Sequence, residues 1–338
     1  MTTVLVTGAS GWLGTRLVEA LASGAEFNGR YFPPCKVNCL VLENSEYALL
    51  TKLGVNIFYG DIRYPASLKE PMRDVDTVFH LCGVIHPQKW VSEFFDVNTD
   101  GTRNVLSAAI DANVKRFIYM SSNSVAGVRT NGEIMTEGDA AAPYMAYGRS
   151  KYLAEQIVLK AASEGQIEAV SLRTCWFYGP GQPERQTRFF RMIKSGRPVI
   201  FGSGKNLRSL SYIDNSVQGL LLAAKSDGAN GTIYWIADKR PYTMLEIYQT
   251  VAQSLGVKGR LSPFFLPGAA SAMCRAADYG LQKLGLYVPE IHVAGEMDRD
   301  IACSIYRAER ELGYRPSVEL REGMERSIKW CLDNGMLS

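Results

Sequence analysis

Three glycines, each separated from the next by two residues, stand where a β-branched run gives way to a helical pattern: "TVLVTG" (3–8) leads through "ASGWL" into "GTRLVEALASG" (14–24). A strand that turns at once into a helix needs a residue free to take positive φ at the turn, and Gly8 occupies that place. Gly11 leaves the backbone open to a phosphate group, which the amides of Ser10, Gly11, Trp12 and Leu13 at the positive end of the helix would hold. Gly14 lets the helix pack close to the sheet. The spacing GxxGxxG is one residue wider than the usual GxGxxG, and glycine clusters also mark plain turns. The phosphate-binding reading therefore rests on the strand before and the helix after.

The same alternation continues along the chain. Short runs such as "VNCLVLE" (37–43), "VNIFYGD" (55–61), "DTVFHLCG" (76–83), "RFIYMSS" (116–122) and "EAVSLRTC" (168–175) alternate with helical segments such as "GTRNVLSAAIDANV" and "SKYLAEQIVLKAASEG". Strands that alternate with helices predict an α/β fold, a doubly wound Rossmann-type parallel sheet covered on both faces. The expected organisation is a dinucleotide-binding domain over residues 1–175 and a smaller C-terminal substrate-binding lobe over 176–338, with 210–238 returning to the sheet. Residues 23–36, "SGAEFNGRYFPPCK", form a longer connection than a βα unit needs and read as a surface insertion.

Composition narrows the partners. The 37 basic and 34 acidic residues of the 338 are spread along the whole chain, without the basic stripe that nucleic acid or an acidic membrane requires, so a small molecule is the expected partner. Seven cysteines at irregular intervals and three histidines suggest neither a disulfide framework nor a metal site. No segment reads as a signal peptide or membrane span, which leads to the expectation of a cytoplasmic protein.

Several residues have the chemistry of a cofactor site. An acid at the end of the second strand of such a sheet binds the ribose 2'-hydroxyl of NAD and repels the 2'-phosphate of NADP, and Glu43 stands there. Asp61, with the Ile62 amide, ends the third strand and can meet an adenine amino group or cap the turn that follows. The backbone of Leu81, Cys82 and Gly83 would flank the cofactor at a further strand end. His80 reads as a buried, satisfied imidazole. Asn98, entering a helix, can brace neighbouring backbone or cap that helix. Tyr147 and Lys151 in "YGRSK" are four residues apart, which puts both on one helix face. An ammonium beside a phenol favours the phenolate, so this pair can exchange a proton with a substrate hydroxyl. The hydroxyls of Ser121, Ser122 and Ser124 follow a strand, at the sheet edge where ligands bind, and one of them can donate to a substrate oxygen.

Taken together, "TGASGWLG", "GDIRYPASL", "HLCG", "VNTDGTRNVL", "FIYMSSNSVAG", "YGRSK", "LRTCWFYGPG", "FGSGKNLRSLSYIDN" and "ELGYRPSVELREGM" resemble, in that order, the extended short-chain dehydrogenase/reductases, the NAD-dependent epimerase/dehydratase group. The resemblance implies Tyr147 as acid/base, Lys151 as its pKa-lowering and ribose-binding partner, and Ser122, rather than its neighbours, as the donor to the substrate oxygen. It also implies NAD as cofactor, Cys175 and Phe177 beside it, and a homodimer formed through helices near Asn98 and Tyr147.

The substrate is less constrained. Arg208 resembles an arginine that contacts the diphosphate in nucleotide-sugar members, a task suited to its planar fork, and Arg188, Arg191 and Lys194 add cations on a helix whose outer face explains them equally well. Trp176 stands near a place where many sugar-nucleotide members carry asparagine. "SSNSV" lacks the Asp-Glu pair of 4,6-dehydratases, which disfavours dehydration. The first expectation is therefore an oxidoreductase or epimerase acting on a nucleotide-diphospho-sugar. The alternative is a 3β-hydroxysteroid dehydrogenase-like enzyme or ketoreductase acting on a hydrophobic alcohol, and a non-catalytic NAD-binding sensor is a third reading. The apolar segment 263–289 reads as an amphipathic helix packed on the core or, in the alternative, as an apolar lid.

Overall fold

The computed structural model describes residues 2–257, 259 and 262–337. Seven strands form one parallel sheet: β1 (Thr3–Thr7), β2 (Lys36–Val41), β3 (Asn56–Tyr59), β4 (Thr77–His80), β5 (Arg116–Met120), β6 (Glu168–Thr174) and β7 (Thr232–Ile236). Their spatial order is β7-β6-β5-β4-β1-β2-β3. The chain thus builds outward from β1 to β3, then crosses back to β4 and builds the other way, so the order reverses between β1 and β4. Helices leaving those two strands go to opposite faces, which opens a crevice at the carboxyl edge where ligands bind in such sheets. Thr7 and His80, paired in register across the two strands, stand at that edge.

The strand sequence decides what each face packs against. Val4 and Val6 join the core built with Leu13, Leu17, Val18 and Leu21 of helix α1 (Trp12–Ser23), while Leu5 joins the opposite core. This is the two-residue period of a strand buried on both faces. On that opposite face lie helices α2 (Thr102–Asp111) and α3 (Met145–Ser163), which contribute Val105, Leu106, Ala109, Ala154, Val158 and Ala161. Leu17 is fully buried, and truncating such a residue to alanine costs about 3 kcal/mol.

The long connection after α1 is a β-hairpin, Ala25–Phe27 against Arg30–Phe32, and Asn28 Nδ2 at its tip donates to the Arg315 carbonyl at 2.6 Å. The insertion therefore reaches the C-terminal segment and leaves β2 in register beside β1.

Beyond β6 the chain forms helices α4 (Glu184–Lys194), α5 (Ile213–Lys225), α6 (Gly268–Lys283) and α7 (Pro289–Glu296), along with short two-stranded pairings. Helix α5 lies beside α1, and Arg16 pairs with Asp214 across them at 2.7 Å. Helix α6 departs from the amphipathic expectation for 263–289. Its buried positions are Ser271 and Asp278, whereas Met273 and Tyr279 on it, and Leu284 just after it, are exposed. The inward polar groups are satisfied: Ser271 Oγ donates to the Ala294 carbonyl, Arg275 binds Asp298, and Asp278 holds both His292 and Gln282. Polar partners on α7 and in the 294–298 turn thus set the orientation, and the apolar side chains are left outside. Among the described residues, no helix is long and apolar enough to cross a membrane, and no group of acidic, histidine and cysteine residues could hold a metal ion.

Candidate active site

The glycine turn has little room for side chains. Gly8 has φ +72°, and a Cβ there would lie 2.9 Å from the Cys82 backbone. A Cβ on Gly14 would fall 2.1 Å from the Gly8 carbonyl oxygen, so α1 presses directly on the turn it follows. Gly11 differs: a Cβ would meet only the Gly8 oxygen, at 3.1 Å, and nothing else within 4 Å. The Gly11 amide closes the turn by donating to Gly8 O at 3.0 Å, and no side chain caps the amides at the start of α1. A turn sealed behind and open in front, with free donors at a helix N-terminus, fits the pyrophosphate of a dinucleotide. Ser10 is half-buried in this turn and Leu13 faces the core. The Trp12 ring meets Phe177 edge-on at 6.3 Å, and its Nε1 donates to the Pro180 carbonyl at 2.7 Å.

Glu43 is exposed two residues beyond β2. Asp61 caps its own turn by accepting the Arg63 amide at 2.9 Å, and its carboxyl is held below the usual range first by the Arg63 side chain. Ile62 is buried next to it.

At the end of β4 the hydrogen bonds run in a chain. The Thr102 hydroxyl donates to the Asn98 carbonyl at 2.7 Å, so His80 Nε2, 2.9 Å from that hydroxyl, is the donor of its pair. His80 Nδ1 then accepts from Thr7 Oγ1 at 2.7 Å, and Thr7 Oγ1 accepts the Cys82 amide at 3.4 Å. Burial lowers His80 to about 3, so the ring is neutral and positions its neighbours. Leu81 donates its amide to Thr7 O, and burial raises the Cys82 thiol to about 11. Asn98 sits in a seven-residue π-helical turn, Phe95–Gly101. Its side chain accepts the Val84 amide at 2.7 Å, donates to the Val84 carbonyl at 2.9 Å and reaches Ser150 Oγ at 3.1 Å. The loop carrying Gly83 is thereby tied to α3, and a Cβ on Gly83 would come 3.8 Å from Lys151 Nζ.

Tyr147 and Lys151 lie one turn apart on α3, and Ser122 follows β5. Ser122 caps a short turn by accepting the Ser124 amide at 3.2 Å, while Ser121 Oγ is buried without a partner. Sequence reasoning passed over the residue that brings tyrosine and serine together. Gly148 lies so close to the serine loop that a Cβ would fall 2.4 Å from Ser124 O. Met145, at the start of α3, takes φ +52°, a conformation that costs a non-glycine residue on the order of 1 kcal/mol. The next amide, Ala146, donates to Gln282 Oε1 of α6 at 2.9 Å. Only the tertiary packing displays this strained, anchored entry.

Burial raises the Tyr147 phenol, opposed by the Ser122 hydroxyl and by the charge of Arg185. Burial takes the Lys151 ammonium down to about 7, its Nζ donates to the Met120 carbonyl at 2.6 Å, and it sits 4.4 Å from the Tyr119 ring centre.

Cys175 is buried with its Sγ 3.7 Å from Cys303 Sγ. Trp176 donates to Gln186 Oε1 at 2.8 Å and packs edge-on against Phe189, with ring centres 5.1 Å apart. Arg208 donates through Nη2 to the Glu296 carbonyl, and its Nε is buried without an acceptor. The same is true of Arg299 Nε, which sequence reasoning did not single out.

A doubly wound sheet with a glycine turn open to a phosphate, and with serine, tyrosine and lysine near its carboxyl edge, is the architecture of a dinucleotide-dependent enzyme. The chain belongs to the NAD-dependent epimerase/dehydratase family, whose model matches residues 4–237. It is similar over 345 residues, at 41% identity, to a protein of Sinorhizobium fredii named uncharacterized protein y4nL, covering 98% of this chain and 96% of that one. It is 26% identical over 335 residues to the 4-hydroxy-2-methyl-3-oxo-4-farnesyl-3,4-dihydroquinoline-1-oxide ketoreductase of Stigmatella aurantiaca, covering 95% and 94% of the two chains. Its fold resembles that of the dTDP-glucose 4,6-dehydratase DesIV of Streptomyces venezuelae, solved with NAD and TYD bound, with a TM-score of 0.79, 24% identity and coverage of 100% and 99%. The cofactor is NAD.

Proposed function

We propose that the protein is a dehydrogenase or ketoreductase that interconverts a secondary alcohol and its ketone, and that the substrate has a largely apolar body. The observation that carries the reading is the packing of α3 on the serine loop at the sheet edge, where a Cβ on Gly148 would fall 2.4 Å from Ser124 O, with Tyr147 next to that glycine and Ser122 in that loop. NAD, when bound, takes or returns the hydride of the carbinol carbon. During reduction the neutral Tyr147 phenol gives its proton to the substrate oxygen and becomes phenolate, during oxidation that phenolate takes the hydroxyl proton back, and Ser122 donates to the substrate oxygen as charge builds on it. Asn98 holds the loop of Gly83 against α3, and in this reading Lys151 grips the ribose of the cofactor.

Two aromatic clusters support the apolar body: Trp176, Phe189 and Tyr248 meet edge to face, and the buried Phe94 meets Tyr287 edge-on and Tyr147 at a tilt. The ketoreductase name of the Stigmatella relative points the same way. A nucleotide-diphospho-sugar is the second reading, favoured by the buried Nε of Arg208, which makes no hydrogen bond and which a diphosphate would satisfy.

One experiment separates these readings: melting of the NAD-loaded protein with hydroxysteroids, long-chain secondary alcohols and UDP-, GDP- and dTDP-sugars, followed by turnover of whichever compound stabilises it. Stabilisation by apolar alcohols, and a loss of turnover of about 10²–10⁴-fold in Tyr147→Phe, are the expected results. Stabilisation by nucleotide sugars alone would shift the assignment to the second reading. Full turnover by Tyr147→Phe would remove the acid/base role.

A further inference from the structure

Helix α3 begins without the means to hold its own first turn. Tyr144 stands at its N-cap position, where serine, threonine, aspartate or asparagine would set an oxygen on the free amides that follow, and it makes no such bond. No acidic residue lies in the first turn either. Met145, the first helical residue, has φ +52°, a conformation that the surrounding structure must impose. Tyr147 belongs to the same turn, so the place of its phenol depends on whatever holds that turn.

The missing cap comes from α6, 136 residues further along the chain. Gln282 Oε1 accepts the Ala146 amide at 2.9 Å, the bond that a capping side chain would make. The direction of this side chain is fixed. Its Nε2 donates to Asp278 Oδ1 at 2.8 Å, and because a carboxylate oxygen only accepts, Oε1 must be the atom that faces Ala146. Asp278 is fully buried, and its other oxygen lies 2.7 Å from Nδ1 of His292 on α7.

A second route leads from the same histidine to the ring of Tyr147. His292 and Tyr287 have ring centres 5.4 Å apart, Tyr287 meets the buried Phe94 edge-on at 5.1 Å, and Phe94 meets Tyr147 at 5.6 Å. Helices α6 and α7 form a tight pair, since a Cβ on Gly295 would fall 3.1 Å from the Arg275 backbone. Both the backbone before Tyr147 and the ring itself are therefore referred to that pair.

We propose that Gln282 is a positioning residue for Tyr147: it caps α3 from outside, with its amide oriented by Asp278 and His292, so that the C-terminal helices set where the phenol stands. The proposal rests on the acid/base reading of Tyr147 and deepens it by naming what holds that residue in place. Gln282 acts through the Ala146 amide and not on the substrate.

The test uses the NAD-loaded full chain with meta-fluorotyrosine in place of tyrosine. The fluorine resonance of Tyr147 is the one missing from Tyr147→Phe, and deuterium exchange resolved to single residues follows the Ala146 amide. Gln282→Ala, which keeps helix propensity, and Gln282→Met, which keeps most of the side-chain volume, should each displace the Tyr147 resonance. Each should also speed exchange at Ala146 by at least about fivefold, the factor expected for one lost cap. Arg275→Met is the control. It removes a contact between α6 and the 294–298 turn without touching the cap, and it should lower the melting temperature while leaving both signals in place. An unmoved Tyr147 resonance or unchanged exchange at Ala146 in the Gln282 variants would overturn the proposal. So would signals that move in all three variants in proportion to the loss of melting temperature, since that is a role in stability alone. In the turnover assay above, the Gln282 variants should lose at least about tenfold in kcat with KM kept within about twofold. A displaced resonance with full turnover sinks the acid/base role of Tyr147 and leaves the cap standing.

Discussion

His80 is a useful residue with which to begin, because its function is to remain neutral. Its ring links the cofactor flank at Cys82 to the turn that holds Asn98, and burial lowers its pKa from the ordinary 6.5 to about 3. The unfolded chain therefore binds a proton between these values that the folded chain refuses. This part of the stability is fully present above pH 6.5 and is lost as the pH falls toward 3, by on the order of 4–5 kcal/mol when complete. Urea unfolding at pH 7 and pH 4.5 should show the loss, and His80→Asn should show a flatter dependence across that interval. A dependence unchanged in the variant would mean that other groups carry the acid sensitivity. At this scale the sequence was legible where position depends on residue type and local spacing: the crowded glycines of the turn into α1, the shared helix face of Tyr147 and Lys151, and the buried, hydrogen-bonded His80. It was silent where a role comes from distant packing. Neither the fit of Gly148 against Ser124 nor the positive φ of Met145 can be read from "YMAYGRSK". Four-residue spacing puts Tyr147 and Lys151 on one helix face, but the burial that shifts both groups comes from the packing around them.

Among the elements, the turn into α1 is the most intolerant of change. With only 2.1 Å between a hypothetical Cβ at residue 14 and the Gly8 oxygen, Gly14→Ala must push the helix off the turn and disorder the amides that cradle the cofactor. We expect NAD affinity to fall by at least about tenfold, equivalent to about 1.4 kcal/mol, while the far-UV circular dichroism of the sheet and helices is retained. Titration calorimetry with NAD measures this directly, and an unchanged affinity would show that the cradle tolerates the shift. Helix α6 shows how far an element can be legible in part. The helical period of 263–289 was plain, but its orientation was not, because hydrophobic patterning assumes that the apolar side is buried. Here a buried Asp278 bonded to His292 and Gln282, together with the Arg275 and Ser271 contacts to Asp298, turns the polar side inward. Those partners lie up to 27 residues away, beyond the reach of any local pattern.

Across the whole molecule, the sheet takes in chain from beyond residue 175, through the strand of the 210–238 segment. Strand β7 pairs with β6 in register from Val170 to Thr174, and α5 covers the sheet beside α1. Asp238, just beyond β7, accepts from the Tyr178 hydroxyl at 2.6 Å and the Tyr212 amide at 3.0 Å, binding the later strands to the same core. A fragment of residues 1–175 therefore keeps its cofactor turn but loses the cover of one face and the neighbour of β6. We expect it to be insoluble or molten, with the full chain unfolding in a single transition. A soluble fragment with a sharp melting transition would contradict this. The placement of β7 also has a consequence for synthesis. The edge of β6 must wait for 58 more residues, from Thr174 to Thr232, before its partner emerges, which at ribosomal rates is roughly 3–12 s. During that interval a buried, β-branched strand has an open edge, so the nascent chain is a natural client for chaperones that shield unpaired strands, and slowing translation across 175–236 should lengthen its exposure to aggregation.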